Sequence, residues 1–247
     1  MTQTASDWVK HHFAACALDW TPQAARGTAH VLYAPVVLGE HDIAQCAALL
    51  SDEERQRADR QLTFDGRARF VQRRAFRRYC AALATGAGID TDLSRIRFDE
   101  TTTGQPAYNG ARGVAFSFSS CQLGVMAGWS ATHDIGVDIE DPTREVETVD
   151  MAKRFFAPSE AAVLAEQATP ERETHFFQLW TLKEAALKSI GHGLAYGLEA
   201  FAFEVSPQLR VASAPEAFGG PSRFDPHLIE SGGSSAALVL HDRLPSP

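Results

Sequence analysis

The stretch Glu173-Thr174-His175-Phe176-Phe177-Gln178-Leu179-Trp180-Thr181-Leu182-Lys183-Glu184-Ala185-Ala186-Leu187-Lys188-Ser189-Ile190-Gly191-His192-Gly193 decides how this chain is read. Leu179, Leu182, Ala186 and Ile190 recur at steps of three and four, which predicts a helix with a buried stripe, and Gly191 and Gly193 are natural stops. On such a helix Glu184 and Lys188 fall one above the other, so a carboxylate and an ammonium share a face at the border of the core. The same spacing also describes an ordinary surface ion pair worth about 0.2–0.5 kcal/mol. Composition gives the pair more weight. Of 23 basic residues only four are lysine, Lys10, Lys153, Lys183 and Lys188, and two of them lie here. Arginine suffices wherever a permanent charge is needed, whereas lysine changes protonation state when its surroundings lower its pKa. One of these lysines is therefore a candidate for proton transfer.

Upstream, Gly136-Val137-Asp138-Ile139-Glu140-Asp141 has the β-branched residues of a short strand, with a turn at His133-Asp134 and Pro142 as its end. Side chains alternate along a strand, so Asp138 and Glu140 share one face while Val137 and Ile139 enter the core on the other. Two carboxylates about 7 Å apart, joined by a third from a helix, make a hard oxygen site suited to Mg²⁺. An amphipathic edge strand with its acids in water has the same pattern. A third concentration is basic: nine of 19 arginines, Arg55, Arg57, Arg60, Arg67, Arg69, Arg73, Arg74, Arg77 and Arg78, fall where only Asp59 and Asp65 oppose them. In a chain of net charge −8 this reverses the local field and suits a polyanion. The acidic whole and the sparse aromatic interleaving (Phe64, Phe70, Phe76) disfavour nucleic acid and favour a compact phosphate-rich cofactor. The competing arrangement is a helix with Phe70 and Phe76 inward and its arginines in solvent.

These clusters, in this order, resemble a known family. Gly-Val-Asp-Ile-Glu at 136–140, then Phe176-Phe177-x-x-Trp180-Thr181-x-Lys183-Glu184-Ala185-x-x-Lys188 and Gly191-x-Gly193-Leu194, are similar to the 4'-phosphopantetheinyl transferases of the Sfp type, W/KEA subgroup. Leu50-Ser51-Asp52-Glu53-Glu54, Gly104-Gln105-Pro106, Phe116-Ser117-Phe118-Ser119-Ser120 and Arg154-Phe155-Phe156-Ala157-Pro158-Ser159-Glu160 extend the resemblance over roughly residues 28–205. It implies a holo-carrier-protein synthase that moves 4'-phosphopantetheine from coenzyme A to a serine of an apo acyl or peptidyl carrier protein and releases 3',5'-ADP. Members of that subgroup usually serve polyketide and nonribosomal peptide synthesis. By resemblance Asp138, Glu140 and Glu184 hold Mg²⁺, with Asp138 and Glu184 also counted as catalytic. Glu184 or a water beside it takes the serine proton, and Lys188 stabilises or protonates the departing phosphate. Arg57, Arg69, Gln105, Pro106, Ser119, Ser120 and Lys188 match the coenzyme A pocket, and Glu160 lies near the cofactor or simply caps a helix.

Two departures fall in that pocket. Relatives usually carry histidine where Ser120 stands and lysine where Gln105 stands, so two potential cations near phosphate are replaced by neutral donors. A charge-assisted hydrogen bond is roughly twice as strong as a neutral one, so weaker coenzyme A capture follows. Two other functions stay open on that account: a non-catalytic carrier-binding protein, and a Mg²⁺-dependent diphosphate hydrolase.

The fold class expected is α+β. The resemblance implies two similar α+β lobes related by a pseudo-twofold axis, residues 1–130 and 131–247, with the cofactor between them. Strands are expected near residues 30–37, 95–99, 114–118, 124–129, 136–140, 201–205, 209–214 and 236–240, and helices near 42–60, 66–84, 150–167 and 173–190. The halves echo each other, because Phe70, Arg73 and Arg77 repeat the steps of Phe177, Trp180 and Glu184. Cys16, Cys46, Cys80 and Cys121 show no zinc or CxxC spacing. No signal peptide and no apolar run of membrane length is seen, which points to a cytoplasmic protein without membrane or nucleic-acid partners. The resemblance implies a monomer, with carrier contacts between Phe118 and Leu123. His11 and His12, in a short amphipathic N-terminal segment, are read as packing or exposed residues, and His175 as a capping or packing one.

Overall fold

The computed structural model describes residues 3–36, 39–86, 91–100, 106–229 and 233–243. Its first elements are α1 (Ala5–Cys16), β1 (Leu18–Asp19), β2 (His30–Pro35), α2 (Glu40–Ala48), α3 (Asp52–Asp59), α4 (Phe64–Ala84), β3 (Asp99–Glu100), β4 (Pro106–Ala107) and β5 (Ala115–Ser120). Then follow β6 (Gly124–Ser130), β7 (Asp134–Glu140), α5 (Thr148–Phe155), α6 (Pro158–Glu166), α7 (Thr169–Ser189), β8 (Ala202–Glu204), β9 (Arg210–Ser213), β10 (Phe224–Ile229) and β11 (Ser235–His241). Antiparallel pairing makes one sheet of order β1-β2-β6-β5, a second of order β10-β11-β7, and the small pairs β3-β4 and β8-β9. The chain is thus a mixed α and β structure with antiparallel sheets.

Alternation along the strands assigns each face to a different apolar cluster. In the first sheet Ala34, Val125 and Ala127 pack with Phe13, Val71 and Phe76 of the flanking helices. The opposite face, with Val31, Tyr33 and Met126, meets Ile135, Val137, Ile139, Leu238 and Leu240 of the second sheet. The outer face of that sheet, with Ala237 and Val239, lies under Leu179, Leu182 and Ala186 of α7. Each such large side chain taken out of water contributes about 1.5–3 kcal/mol. Edge strands β5 and β7 abut, and the Val137 N–H donates to Ser117 Oγ at 3.0 Å.

Several boundaries differ from expectation for visible reasons. The helix expected over 42–60 is two, because Ser51 starts a new one: its Oγ accepts from the Glu54 N–H at 3.2 Å and Glu54 Oε2 accepts from the Ser51 N–H at 3.0 Å. The helix expected over 150–167 breaks where Phe156 and Ala157 are extended and Pro158 begins α6, a position where a missing N–H costs nothing. Residues 95–99 hold a short 3₁₀ turn at Leu93–Arg95 and the two-residue β3 instead of one strand. Strand β10 was not expected; its Pro226 is tolerated because β10 pairs on one side only. Val37, expected at a strand end, lies outside the described residues. Cys16, Cys46, Cys80 and Cys121 are free thiols, and burial pushes the Cys46 thiol up to about 12. Among the described residues no helix is long and apolar enough to cross a membrane.

Helix α7 lies directly on β7 because Gly136 has no side chain. A Cβ there would sit 1.8 Å from Ala185 O and 2.7 Å from Ser189 N. The acidic face of β7 is therefore roofed by α7, and Asp138 is only 4% exposed. Gly136→Ala is expected to lower stability by about 1–3 kcal/mol, the usual cost of overpacking. Urea unfolding of the variant beside the parent checks this, and an unchanged midpoint would mean that α7 can lift without cost.

Candidate active site

From Phe176 to Ser189 helix α7 has no exposed residue, and it ends sharply. Gly191 takes φ 77° and the His192 N–H reaches back to Leu187 O at 2.9 Å, closing the last turn. Adjacent residues on a helix point about 100° apart, so Lys183 and Glu184 go to different places. Lys183 is fully buried, ion-paired with Glu160 Oε2 at 2.6 Å, donating to Leu198 O at 3.2 Å and to Phe201 O, and lying 5.0 Å from the Phe156 ring centre. Burial pulls its pKa down, and Glu160 opposes that shift. Glu160 in turn accepts from the Ala157 N–H at 3.0 Å and the Phe203 N–H at 2.9 Å. Lys183 is thus a core strut rather than a proton carrier, and Glu160 caps α6 and pairs with it.

Glu184 and Lys188 face β7 and β5. Lys188 Nζ donates to Asp138 Oδ1 at 2.6 Å, to Ser119 Oγ at 3.2 Å and to Val137 O at 3.3 Å. Ser119 Oγ itself donates to Asp138 Oδ1 at 2.7 Å. Asp138 Oδ2 is buried with no hydrogen-bond partner. Burial pushes the Glu184 carboxyl up to about 6; Lys188 opposes the shift, and the charges of Asp138 and Glu140 add to it. Burial also raises Glu140, reinforced by Asp138 and opposed by Arg144, Lys188 and a hydrogen bond from Trp180. Three carboxylates thus share one field with one ammonium among them.

Beside this group lies a cleft of about 240 Å³ lined by Arg73, Arg77, Phe118, Ser119, Ser120 and Met126. Arg73 Nη1 donates to Ser120 Oγ at 3.2 Å, and the Arg77 guanidinium lies 4.8 Å from the Phe118 ring centre. Arg78 points elsewhere, into an ion pair with Glu54 at 2.6 Å that ties α3 to α4.

The structure therefore brings together Asp138, Glu140, Glu184, Lys188, Ser119 and Ser120. Arg69 stands one turn before Arg73 on α4. Arg57 is on α3, paired with Glu53 at 2.8 Å on an exposed face, and Pro106 lines a different cleft with Tyr108 and Phe116. Gln105 lies outside the described residues. His11 Nδ1 donates to Asp7 O at 2.6 Å, and His12 stacks on Trp8 at 4.7 Å, so both belong to α1 packing. His175 contacts Gln167 Oε1 at 3.1 Å, and His192 lies 4.8 Å from the Tyr196 ring centre. Arg73 and Arg77 line the cleft but are not among the pocket residues that the resemblance gave: the sequence marks them only as the echo of Trp180 and Glu184 and as two of nine clustered arginines, in one helical row with Arg69.

Among the described residues no group of three or more His, Cys, Asp or Glu side chains is arranged to hold a metal ion. The donors nonetheless fit a hard divalent cation, since all three are carboxylates, one buried oxygen lacks a partner, and two of the groups are raised by burial and, after it, by like charge.

A family model described as the 4'-phosphopantetheinyl transferase superfamily matches residues 134–239, the span from β7 to β11. The 4'-phosphopantetheinyl transferase HetI of Nostoc sp. is 31% identical over 171 residues, covering 67% of this chain and 70% of that protein. The chain belongs to the 4'-phosphopantetheinyl transferase superfamily. Similar too are the family's Sfp of Bacillus subtilis, 27% identical over 154 residues (62% of this chain, 67% of that protein), and psf-1 of Bacillus pumilus, 32% over 116 residues (46% and 48%). Asp138, Glu140, Glu184 and Lys188 all lie within the segment that the family model matches.

Two outcomes follow from the site's electrostatics. Glu160→Gln or Lys183→Met alone strands a buried charge and is expected to cost about 3–5 kcal/mol, while the double variant recovers most of that loss. Denaturant titration of the three proteins tests it; a double variant as unstable as the sum of the singles would contradict the pairing. Glu184 has a folded pKa of about 6 against an ordinary 4.5, so the folded state binds the extra proton between those values and stability is lost as pH rises through that window. In cation-free buffer the melting temperature of Glu184→Gln should fall less steeply over that range than the parent's.

Proposed function

We propose that this family member transfers 4'-phosphopantetheine from coenzyme A to a serine of an acyl or peptidyl carrier protein and releases 3',5'-ADP. The observation that carries the reading is Asp138, buried between Ser119 and Lys188 with one oxygen unpartnered, facing Glu140 and Glu184 at the mouth of an arginine-lined cleft. Asp138, Glu140 and Glu184 would hold Mg²⁺, which when bound neutralises the diphosphate and stabilises the leaving group. Arg73 and Arg77, with Arg57, Arg69, Gln105, Pro106, Ser119 and Ser120, would bind coenzyme A. Arg73 steadies Ser120, and a guanidinium beside the hydroxyl supplies positive charge where the departure at residue 120 removed it.

In the transfer, the carrier serine Oγ forms a bond to the phosphorus that bears pantetheine, and the bond from that phosphorus to the oxygen bridging to 3',5'-ADP breaks. Glu184 takes the serine proton at a carboxylate oxygen. Its raised pKa makes it a better base than an ordinary carboxylate while leaving it ionised near neutral pH. Lys188 stabilises the charge that gathers on the leaving phosphate. Positioning and electrostatics carry most of the acceleration in such a reaction.

The architecture supports the two-lobe reading, residues 1–130 and 131–247 as similar α+β lobes about a pseudo-twofold axis. Helices α4 and α7 are both 21 residues long, each lies on the outer face of one sheet, and the sheets meet at β5 and β7 beside the cleft. We assign the protein to the Sfp type and expect a cytoplasmic monomer.

Intact mass spectrometry of an apo carrier protein, incubated with this protein, Mg²⁺ and coenzyme A, tests the reading. A gain of one phosphopantetheine group is expected, slowed about 10²–10⁴-fold by Glu184→Gln, the usual weight of a general base. No gain across acyl and peptidyl carriers, with folded protein, would overturn it.

A further inference from the structure

We infer that the Lys188 ammonium is the resident counter-ion of the carboxylate group, and that it leaves Asp138 for the coenzyme A diphosphate when a divalent cation binds. This rests on the function proposed above and specifies how the site is loaded. The ammonium sits on Asp138 Oδ1 at 2.6 Å, the carboxylate that the putting-together of β5, β7 and α7 buries most deeply. Its charge opposes the burial and the neighbouring negative charge that raise Glu140 and Glu184, so it already does part of what a metal ion would do.

Only one partner of this ion pair can move. Asp138 is fixed by the β7–β11 ladder, by the Ser119 hydroxyl and by the close seat of α7 at Gly136. Lys188 has four methylenes and a side chain 27% exposed, near the last turn of α7. A dication drawn to the free Oδ2 of Asp138 would face the ammonium across one carboxylate group, and like charges at that range repel strongly. The ammonium has an exit: Ser119, which it already touches, lines the cleft together with Ser120 and Arg73. A diphosphate in that cleft is an anionic acceptor within reach of a swinging lysine. Cation and coenzyme A then help each other to bind, because each relieves the charge that the other leaves unpaired, and such coupling is reciprocal.

The small number of lysines makes the test direct. Protein grown with ¹³C-lysine shows an ε-methylene signal for each of Lys10, Lys153, Lys183 and Lys188, and Lys188→Met identifies the signal of interest. Calorimetry with Mg²⁺ and with Mn²⁺ first measures cation binding by the parent, Lys188→Met and Asp138→Asn. Mg²⁺ alone is expected to shift and sharpen the Lys188 signal while the Lys183 signal stays still, and coenzyme A added next should shift it again. Lys188→Met should bind the cation about fivefold or more tightly without coenzyme A, and coenzyme A should tighten cation binding less than in the parent. A cation that binds, weakens with Asp138→Asn and leaves the Lys188 signal unmoved would overturn the inference while the proposed metal site stands. No cation binding by the parent or by Lys188→Met would remove the metal site and the inference with it.

Discussion

The Lys183–Glu160 pair holds the working part of this molecule in register. Glu160 accepts from the start of its own helix, from Phe203 of the β8 strand and from Lys183, so one carboxylate joins α6, β8 and α7. A buried ion pair is weak evidence of stability in itself, because desolvation offsets much of the attraction. Its value here is geometric. The pair fixes the rotation of α7 about its axis, and residues 184 and 188 then have one direction in which to point.

The opposite side of α7 depends on an absence of atoms. Gly136 lets the helix backbone touch β7, which puts the Lys188 ammonium within 2.6 Å of Asp138 and holds Glu184 in the field of two other acids. Strand β5 completes the arrangement from its own edge, with Ser117 holding the backbone of β7 and Ser119 its carboxylate. Acidic groups crowded in this way make the folded state carry charge stress that a bound cation would relieve. The proposed chemistry and the local instability have the same source.

The alternation around Val137 and Ile139 correctly put Asp138 and Glu140 on one strand face, and the spacing of Glu184 and Lys188 put them on one helix face. What covers those faces was not legible. Nothing in Gly-Val-Asp-Ile-Glu distinguishes a carboxylate in water from one under a helix, because the covering helix lies some forty residues on and touches through Gly136. Lys183 and Lys188 likewise look alike in sequence, since from Phe176 onward α7 has no exposed residue and so no side that marks itself as outward. Packing separated the two lysines of the helix that the family resemblance named. The nine clustered arginines show the same limit: Arg78 is spent on Glu54, Arg57 pairs at the surface, and Arg73 and Arg77 line the cleft. Strand β10 was hidden by Pro226, which an edge strand accepts and a central one does not.

The order of strands in the second sheet has a consequence for the growing chain. Strand β11 lies between β10 and β7, yet it is translated long after β7 and α7. Until Ser235–His241 has left the ribosome, β7 has no ladder on that side and Asp138 has no fixed address. The helices and sheet of residues 5–130 can settle earlier, as segments nearer the N-terminus generally do during synthesis. The nascent protein therefore offers its arginine cleft to solution before its carboxylates are in place, and the completed site appears only with the last strand.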